Sequence, residues 1–419
     1  MHDTKEEECR HRQILTLGGR LPVAMVAACP FPANRGTPIR VQQMGEALVD
    51  LGYDVHVVTY HIGTERPLPG MTVHRTRPLR FYQDFSAGPN YAKLLLLDPL
   101  LVARLLAVVR KHGIRIIHAH HFEGALCALA VKRLIGSVQV IYDAHTSLKD
   151  ELLDYSFRVP TVLKKLAADI LDSGIPRWSD HVVTVSDRLG EFIAHTGVPS
   201  SKITVIPMGV NAGEFPTIPT EEARAALGLT DEPTVVYTGN LAPFQGVDHL
   251  LRSFTIVTQE SKKSRLIIVG RPTPGYQRMV DKLGIVDRVT FAGERPFDEV
   301  RTFLAAADVV VLPRDNCVGF PLKLLNYMAA GKAIVAFEGG SGEVLNHLEN
   351  GYVVPDGDEA AFARGILNCL SDTGLSATIA SGAHRTANRF DLDAMVGRIG
   401  RLYDSLELTG RPHYANARA

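Results

Sequence analysis

The sequence is poor in cysteine and carries no excess charge of either sign. Its 419 residues include five cysteines, which are scattered along the chain and never form a C-x-x-C pair. This usage excludes a disulfide framework and a cysteine zinc cluster, and it is typical of a reducing compartment. Lys and Arg together number 45, as do Asp and Glu. Balanced charge argues against a dedicated nucleic-acid binder, which needs a basic face.

Long apolar runs are also missing. The longest, LLLLDPLLVARLLAVV at 94–109, is interrupted by Asp98, Pro99 and Arg104 and is shorter than a bilayer span. We interpret it as a buried helix, with a surface that touches a membrane as the alternative. Residues 1–20 lack an apolar signal core and are predicted to be a disordered leader. The predicted location is the cytoplasm, with contact at the inner face of the membrane left open.

What the chain does have is short, apolar, β-branched runs that alternate with amphipathic stretches. This alternation predicts strands joined by helices, and so a doubly wound α/β fold with parallel sheets. The predicted strands are 22–28, 53–60, 71–75, 115–119, 138–143, 181–185 and 203–206 in a first series, and 234–237, 265–269, 289–292, 309–312, 333–336 and 352–354 in a second.

The two series predict two domains of one class, since 419 residues are too many for one ordinary core. The predicted division is a Rossmann-like domain at 21–207, a polar linker at 208–232, a second Rossmann-like domain at 233–388, and a C-terminal helix and tail at 389–419 that could pack on either domain. Two such domains face to face would leave a cleft between the carboxyl ends of their strands.

The stretch 309–337 is the first candidate ligand site. A buried run, VVVL, leads through a loop to the helix PLKLLNYMAAG, with Pro321 predicted in its first turn and Gly331 after its end. A loop at the carboxyl end of a parallel strand that opens a helix is where open α/β sheets bind phosphorylated ligands. A weaker signal of the same kind lies at Gly36 and Thr37, which follow the first predicted strand.

Seven segments between Cys29 and Lys332 together resemble the retaining glycosyltransferases of family 4, and the resemblance covers the chain from about residue 22 to 406. They are CPFPANRGTPIRVQQMGEALVDLGYDVHVVTYH, RIIHAHHFEGAL, VVTVSDRL, ITVIPMGVN, VVYTGNLAPFQGVDHLL, RLIIVG and GFPLKLLNYMAAGK. Single segments are loose, but their order and spacing are specific. The resemblance implies the GT-B fold, with two Rossmann-like domains facing each other across a cleft.

The resemblance also implies a reaction. Such enzymes move a sugar, here expected to be a hexose, from a nucleotide-sugar donor to a glycan or lipid-linked acceptor, with retention of configuration and without an essential metal. A UDP- or GDP-sugar is the expected co-substrate, and no cofactor is expected. The donor would bind mainly to the second domain and the acceptor to the first, as in polysaccharide biosynthesis.

Carried over onto this chain, the resemblance places the donor on glycine-containing loops and one helix. Breaking the anomeric C–O bond gathers negative charge on the departing diphosphate, so the site needs positive potential and hydrogen-bond donors. The expected donor-binding residues are Gly36, Thr37, Gly239, Asn240, Gln245, Gly246, Arg314, Gly319, Phe320, Pro321 and Asn326.

Four anchors of the family pattern are replaced in this chain. Val318 and Asn326 stand where the family has two glutamates, the second of which binds the donor ribose. Asn240 and Gln245 stand where it has an arginine and a lysine that hold the diphosphate. Amides at three of the four positions favour a modified site over a decayed one.

The missing cations must then come from elsewhere. Lys323, three residues before Asn326 on the same helix face, is predicted to be catalytic, and Arg314 is a second source of positive charge. Three readings stay open: an active transferase, a donor-site-defective pseudo-transferase that serves as a scaffold or subunit, and a sugar-nucleotide epimerase or hydrolase of the same fold.

Histidines concentrate near strand ends in the first half of the chain. His118 and His120 alternate and so share one face of a strand. By the resemblance, His120 matches the histidine that faces the donor sugar. We predict it to be a catalytic residue that orients or polarises the sugar, with His121 as the fallback and His118 as a structural residue. No carboxylate or cysteine accompanies these histidines in the sequence, so no metal site is predicted.

Polar residues follow another predicted strand of the first domain. Asp143, His145, Thr146 and Ser147 are predicted to line the acceptor side, with helix capping by Thr146 or Ser147 as the alternative. Arg40, one turn into the first helix, is interpreted as a surface charge.

Overall fold

The computed structural model describes residues 21–33, 36–64, 66–83, 90–151, 159–215, 218–316, 320–342 and 344–410. It divides the chain into two compact units. Unit 1 comprises Met1–Met208 and Leu392–Ala419, and unit 2 comprises Gly209–Asp391. The prediction of an α/β fold is confirmed, because each unit contains a parallel sheet whose strands are connected by helices.

Unit 1 holds a sheet that, within the described ranges, has seven strands in the order β3-β2-β1-β4-β5-β6-β7. Its strands are β1 (Pro22–Ala27), β2 (Asp54–Thr59), β3 (Met71–Arg75), β4 (Ile116–His120), β5 (Gln139–Ala144), β6 (His181–Thr184) and β7 (Ile203–Val205). Its helices are α1 (Gly36–Asp50), α2 (Asp98–His112), α3 (His121–Ile135), α4 (Leu148–Glu151), α5 (Thr161–Trp178), α6 (Asp187–His195) and α15 (Leu392–Gly410). The strand order reverses between β1 and β4, which is the switch point of this sheet.

The central strands of unit 1 are buried along almost their whole length, as their continuous apolar runs require. Val41, Met44 and Leu48 of α1 pack on one face of the sheet. The C-terminal helix α15 joins the same core through residues that include Ile399 and Tyr403. The C-terminal helix, for which the sequence left packing on either domain open, therefore packs on unit 1.

Unit 2 holds a sheet of six described strands in the order β10-β9-β8-β11-β12-β13, with its switch point between β8 and β11. Its strands are β8 (Thr234–Thr238), β9 (Arg265–Val269), β10 (Val289–Phe291), β11 (Val309–Leu312), β12 (Ala333–Phe337) and β13 (Tyr352–Val354). Its helices are α7 (Thr220–Ala226), α8 (Val247–Glu260), α9 (Pro274–Leu283), α10 (Phe297–Ala306), α11 (Leu322–Ala329), α12 (Glu338–Ser341), α13 (Glu359–Ser371) and α14 (Thr373–Ala387).

Two segments differ from their sequence-based description. Where a linker was predicted over 208–232, residues from Gly209 onward belong to unit 2, and helix α7 packs on α10. Nε of Arg224 in α7 donates a hydrogen bond of 3.1 Å to the carbonyl of Ala306, the last residue of α10, and Nη2 forms an ion pair of 2.6 Å with Asp308, just after α10. Pro321 precedes α11 as its N-cap rather than lying in its first turn.

The long apolar run forms helix α2, preceded by a π-helical turn over Lys93–Leu97. Leu101 and Leu105 are buried, as the helix interpretation requires, whereas Leu95 in the turn is 67% exposed. Among the residues that the structure describes, every helix is too short or too polar to cross a membrane.

Candidate functional site

The predicted site residues gather at the two switch points. Gly36 and Thr37 begin the helix that follows β1, and His120 ends β4. In unit 2, the loop after β8 carries one predicted group and the segment after β11 carries the other. The first group is Gly239, Asn240, Gln245 and Gly246, and the second is Arg314, Phe320, Pro321, Lys323 and Asn326. Gly319 and Val318 lie outside the described residues.

Lys323 links the two halves of the unit 2 site. Its Nζ donates hydrogen bonds to Oε1 of Gln245 at 2.8 Å and to the hydroxyl of Tyr237 at 2.7 Å. The same ammonium lies 4.1 Å from the centre of the Tyr237 ring, within cation–π range. Burial lowers the pKa of Lys323 well below its usual value, and the positive charge of Arg314 lowers it further.

Gly239 is required by the close approach of this lysine. A Cβ at Gly239 would lie 2.8 Å from Cε and 2.9 Å from Nζ of Lys323, and the residue has a φ of 128°. Gly246 brings the same loop against the end of β11, since its own Cβ would lie 2.0 Å from the carbonyl oxygen of Pro313. The loop after β8 is thus shaped around its neighbours across the switch point.

The N-termini of α8 and α11 both lie at this point. Gly246 is the N-cap of α8 and Pro321 the N-cap of α11, and neither supplies a side-chain capping bond. The first N–H groups of a helix lack intrahelical partners and carry the positive end of the helix dipole. Two such ends beside Lys323 favour an anion.

The remaining predicted residues of unit 2 have local contacts. Asn240 is exposed, and its Oδ1 accepts a hydrogen bond from N of Ala242 at 3.2 Å, which holds the loop. Nε of Arg314 donates to the carbonyl of Asn316 at 2.7 Å. The Phe320 ring packs against Phe390 at 5.4 Å between centroids.

Asn326 lies one turn after Lys323 on α11. It is half-buried, and within the described part of the chain its side chain makes no hydrogen bond. Its neighbour Tyr327 is buried and accepts a hydrogen bond from N of Thr238 at 2.9 Å, which fixes α11 to the end of β8. Asn326 is therefore held in place by its helix while its amide stays available.

Asp143 is the centre of the unit 1 site. Arg40 donates two hydrogen bonds to this carboxylate, from Nε to Oδ2 at 2.7 Å and from Nη2 to Oδ1 at 3.0 Å. The side chains of Arg40 and Asp143 are 1% and 0% exposed. Arg40 also donates to the carbonyls of Ile206 and Pro207. Burial alone would raise the pKa of Asp143, but Arg40 and the surrounding histidines hold it well below its usual value.

The interpretation of Arg40 as a surface charge is therefore wrong. The guanidinium lies one turn into α1, on the face that packs against the sheet, where it meets a carboxylate from β5. A buried charge persists when it is paired and fully hydrogen-bonded, as it is here. A sequence in which Arg40 and Asp143 stand 103 positions apart carries no local sign of this pair.

Three histidine rings surround the same carboxylate. Nδ1 of His120, Nε2 of His118 and Nε2 of His145 lie 2.9, 3.4 and 3.3 Å from Oδ2 of Asp143. Nδ1 of His118 is 2.9 Å from the hydroxyl of Tyr403, and Nδ1 of His145 is 3.1 Å from Oγ1 of Thr37. His120 is fully buried, and among the described residues neither of its nitrogens has a well-formed hydrogen bond.

Burial sets the protonation state of His120. It lowers the pKa of this ring to about 3, although Asp143 acts in the opposite direction. Burial also lowers the pKa of His145. His120 is accordingly a neutral imidazole at physiological pH. If Nδ1–H faces the carboxylate, Nε2 presents a lone pair.

The nearby polar residues are placed as follows. His121, the fallback, has a left-handed φ of 63° and pairs with Oε2 of Glu123 at 2.7 Å. Oγ1 of Thr146 lies 3.5 Å from Nε2 of His121. The backbone N–H of Leu148 at the start of α4 donates to Oδ1 of Asp172 at 2.8 Å.

The expectation that these histidines have no carboxylate beside them is wrong. Register pairs His120 of β4 with Asp143 of β5, so the parallel sheet brings them together. His118, His120 and Asp143 each offer a ligand atom within 4.8 Å of the others. Arg40 already neutralises both oxygens of that carboxylate and would repel a metal ion. We therefore assign the group to an ion-pair network.

Three site residues, Tyr237, Tyr327 and Tyr403, have no signal in the sequence that marks them as functional. Each is a large buried side chain whose hydroxyl bonds a site residue or the end of a site strand. A strand such as TVVYT or a helical tyrosine reads as ordinary core. The one general indication is that the hydroxyl of a buried tyrosine needs a hydrogen-bond partner, which must then be a polar group nearby.

Two family models match separate parts of the chain. The model described as Glycosyltransferase Family 4 matches residues 35–214, and the model described as Glycosyl transferases group 1 matches residues 232–372. Among relatives, the D-inositol 3-phosphate glycosyltransferase of Thermobispora bispora is 28% identical over 410 aligned positions, which cover 90% of this chain and 91% of that protein.

Two solved structures share the fold. Sucrose-phosphate synthase from Thermosynechococcus elongatus superimposes with a TM-score of 0.78 at 23% identity, over 93% of this chain and all of that one. Anabaena HepE in complex with UDP-glucose superimposes with a TM-score of 0.72 at 21% identity, over 92% of this chain and 100% of that one.

Proposed function

The chain belongs to the family-4 glycosyltransferases with the GT-B fold, and from that premise we propose that it transfers a hexose from a UDP- or GDP-sugar to a hydroxyl acceptor with retention of configuration. One observation carries the proposal: the Lys323 ammonium, held by Gln245 and Tyr237, lies between two helix N-termini at the switch point of unit 2. This is the location and the charge that a diphosphate needs.

Lys323 and Arg314 replace the family's loop cations in this proposal. As the anomeric C–O bond breaks, the electron pair stays on the diphosphate oxygen, and positive charge develops on the sugar. A diphosphate keeps Lys323 protonated in the donor complex, and this ammonium and the helix N–H groups then stabilise the leaving group. These protein cations supply the charge that a metal ion would otherwise provide, so we propose a metal-independent reaction.

Asn326 replaces the family's ribose-binding glutamate. An amide can accept a hydrogen bond from one ribose hydroxyl and donate one to another, without carrying charge. Its lack of a bonding partner among the described residues supports this role. The complex of Anabaena HepE with UDP-glucose supports the donor class, since that protein shares the fold.

His120 is assigned to the sugar. Its ring is neutral, its Nδ1 faces Asp143, and its Nε2 is buried with no hydrogen bond to the described residues. An unpaired buried nitrogen costs free energy until a partner arrives, and a sugar hydroxyl is a suitable partner. We place His120 as a group that orients or polarises a hydroxyl. The new glycosidic bond forms to the acceptor oxygen as the bond to the diphosphate breaks, and the acceptor proton passes to the departing diphosphate.

We propose a glycan or lipid-linked acceptor, bound by unit 1. Helix α5 supports contact with a membrane, because Val162, Leu163, Leu166 and Ile170 are between 53% and 76% exposed. Lys164 and Lys165 lie in the same segment and suit anionic headgroups. On this view the protein works in the cytoplasm, at the inner face of the membrane.

A product assay tests the proposal. Each sugar nucleotide is incubated with candidate acceptors, among them lipid-linked saccharides and, because of the Thermobispora bispora relative, D-inositol 3-phosphate. NMR then reads the anomeric configuration of the product. Transfer with retention supports the proposal. Free monosaccharide or an epimer, with or without acceptor, would identify a hydrolase or an epimerase instead. Absence of turnover together with absence of nucleotide binding would identify a scaffold.

A further inference from the structure

A second group of histidines lies in unit 1, away from His120. His56 is on β2, His74 is on β3 and His112 is the last residue of α2. One ring nitrogen from each lies within 4.8 Å of the other two. We propose that these three histidines bind a divalent transition-metal ion of the zinc type.

The fold itself brings the three rings together. In the β2–β3 register, His56 pairs with Thr72 and Val58 pairs with His74, so both histidines project from the same face of the sheet. Helix α2 packs on that face and ends there at His112. The His112 ring is 4.2 Å from the His56 ring and 5.5 Å from the His74 ring, between centroids.

The distance between the His56 and His74 nitrogens suits a metal ion that both of them bind. Nδ1 of His56 and Nε2 of His74 are 3.0 Å apart. Two nitrogens on a tetrahedral zinc with bonds of about 2.0 Å are separated by about 3.3 Å. Nε2 of His112 is buried and has no hydrogen-bond partner among the described residues. A metal ion would satisfy that nitrogen and the lone pairs of the other two rings at once.

Asp54 supplies the outer contact that metal-binding histidines usually have. Its Oδ2 lies 3.1 Å from Nε2 of His56. A carboxylate on one ring nitrogen fixes the proton there and leaves the other nitrogen, Nδ1, free to bind a metal. This nitrogen is the one that faces His74.

Charge and ligand type narrow the class of ion. Three imidazoles favour zinc, nickel, cobalt or copper over magnesium and calcium, which prefer oxygen. The carboxyl end of α2 is the negative end of its dipole and favours a cation. Arg104 and Lys111, the cations that act on His74, are exposed, so solvent and salt screen them.

The group is separate from the transfer site. Register aligns His56 with Ala24 and Ala24 with Ile117, three residues before His120. Three residues of strand correspond to about 10 Å, and two strand spacings lie between β2 and β4. A metal here would join β2, β3 and α2 and would stabilise unit 1 without taking part in the transfer step.

The test is zinc and cobalt titration of the full chain after chelation. We expect one equivalent of Zn²⁺ bound in competition with a chromogenic chelator, a tetrahedral Co²⁺ spectrum, and a melting temperature raised by zinc. His112→Gln should weaken zinc by at least about 100-fold and abolish the thermal shift, and Asp54→Asn should weaken it by about 10- to 100-fold. His112 is at a helix end and half-exposed, so this variant is expected to fold.

Two controls separate this site from other histidines. His195→Gln changes an exposed histidine and should leave zinc affinity unchanged. His120→Gln changes the other group of ligand-type residues, with Asp143 at its centre, and should also leave it unchanged. Failure of the wild-type chain to bind zinc would overturn the proposal, as would zinc binding that survives His112→Gln but is lost in His120→Gln.

Discussion

Nζ of Lys323, on helix α11, donates a hydrogen bond of 2.8 Å to Oε1 of Gln245, which lies on the glycine-containing loop after β8. By the family resemblance, position 245 is where relatives have a lysine. In this chain the lysine is on the helix and its partner is on the loop. We interpret Lys323 as the replacement for the loop lysine, which keeps an ammonium group at the switch point between β8 and β11.

Binding of a nucleoside diphosphate should take up a proton at Lys323. Burial and Arg314 lower the pKa of this lysine in the free protein, and a diphosphate anion would raise it again. Binding therefore weakens as pH rises through the lowered pKa. Calorimetry in two buffers with different ionisation enthalpies measures the uptake. Equal enthalpies in both buffers would show that the lysine stays charged throughout or does not meet the ligand.

Gly239→Ala should weaken diphosphate binding and destabilise unit 2. A Cβ there would collide with the end of Lys323, and the φ of 128° costs a non-glycine residue about 1–3 kcal/mol. Gly228→Ala is the matched control, because it has a φ of 64° and open space around its Cβ. We expect the control to cost stability alone. Equal losses of UDP affinity in both variants would contradict the close-approach argument.

The Arg40–Asp143 pair should be essential to unit 1. Removing one partner by Asp143→Asn or Arg40→Met leaves a buried charge unpaired, at a cost of about 3–5 kcal/mol in urea unfolding. The double variant Arg40→Met with Asp143→Leu should cost less than the sum of the two single changes.

The exposed ion pair Arg271–Glu294 is the control for the urea unfolding of the Arg40 and Asp143 variants. Glu294→Gln should leave the free energy of unfolding nearly unchanged, because exposed pairs contribute little. Additive losses at Arg40 and Asp143 would show that the two residues act separately.

His120→Ala should abolish sugar transfer and leave UDP or GDP affinity within about twofold, because His120 is assigned to the sugar and not to the nucleotide. His195→Ala, at an exposed position, should change neither property. Since the pKa of His120 is lowered to about 3, its ring stays neutral down to that pH. The rate should therefore show no His120 titration near pH 6.5. Loss of nucleotide binding in His120→Ala would refute the assigned role.

Much of the fold was predictable because each strand is a short apolar run bounded by turn residues. Helix α6 (Asp187–His195) has such a local signal at its start, where the Ser186 side chain accepts a hydrogen bond from N of Leu189. The end of α11 was equally clear, because a glycine commonly follows the end of a helix, and Gly331, with a φ of 62°, lies two residues after Ala329. Local signals of this kind need no tertiary contact.

The positions of the candidate residues at strand ends were predictable, but the contacts between these residues were not. The sequence indicated that the residues around Gly239 and Lys323 follow two strands, but it did not indicate that those strands are neighbours in the sheet. Arg40 looked like a surface charge because its partner, Asp143, is on another strand. The histidines looked unaccompanied for the same reason. Such contacts depend on the order and register of the strands in the sheet, and the local sequence around each strand does not determine either of them.

Calorimetry of the wild-type chain and Lys323→Met with UDP, GDP, ADP and their sugars tests the central claim most directly. We predict that the wild type binds UDP or GDP and that Lys323→Met weakens this binding by about 10- to 100-fold, the loss of one charge-assisted contact, while the free nucleoside binds both equally. Lys263→Met, on the surface of unit 2, should bind like the wild type. Failure of the wild type to bind any nucleotide, or equal losses for nucleotide and nucleoside, would contradict the account.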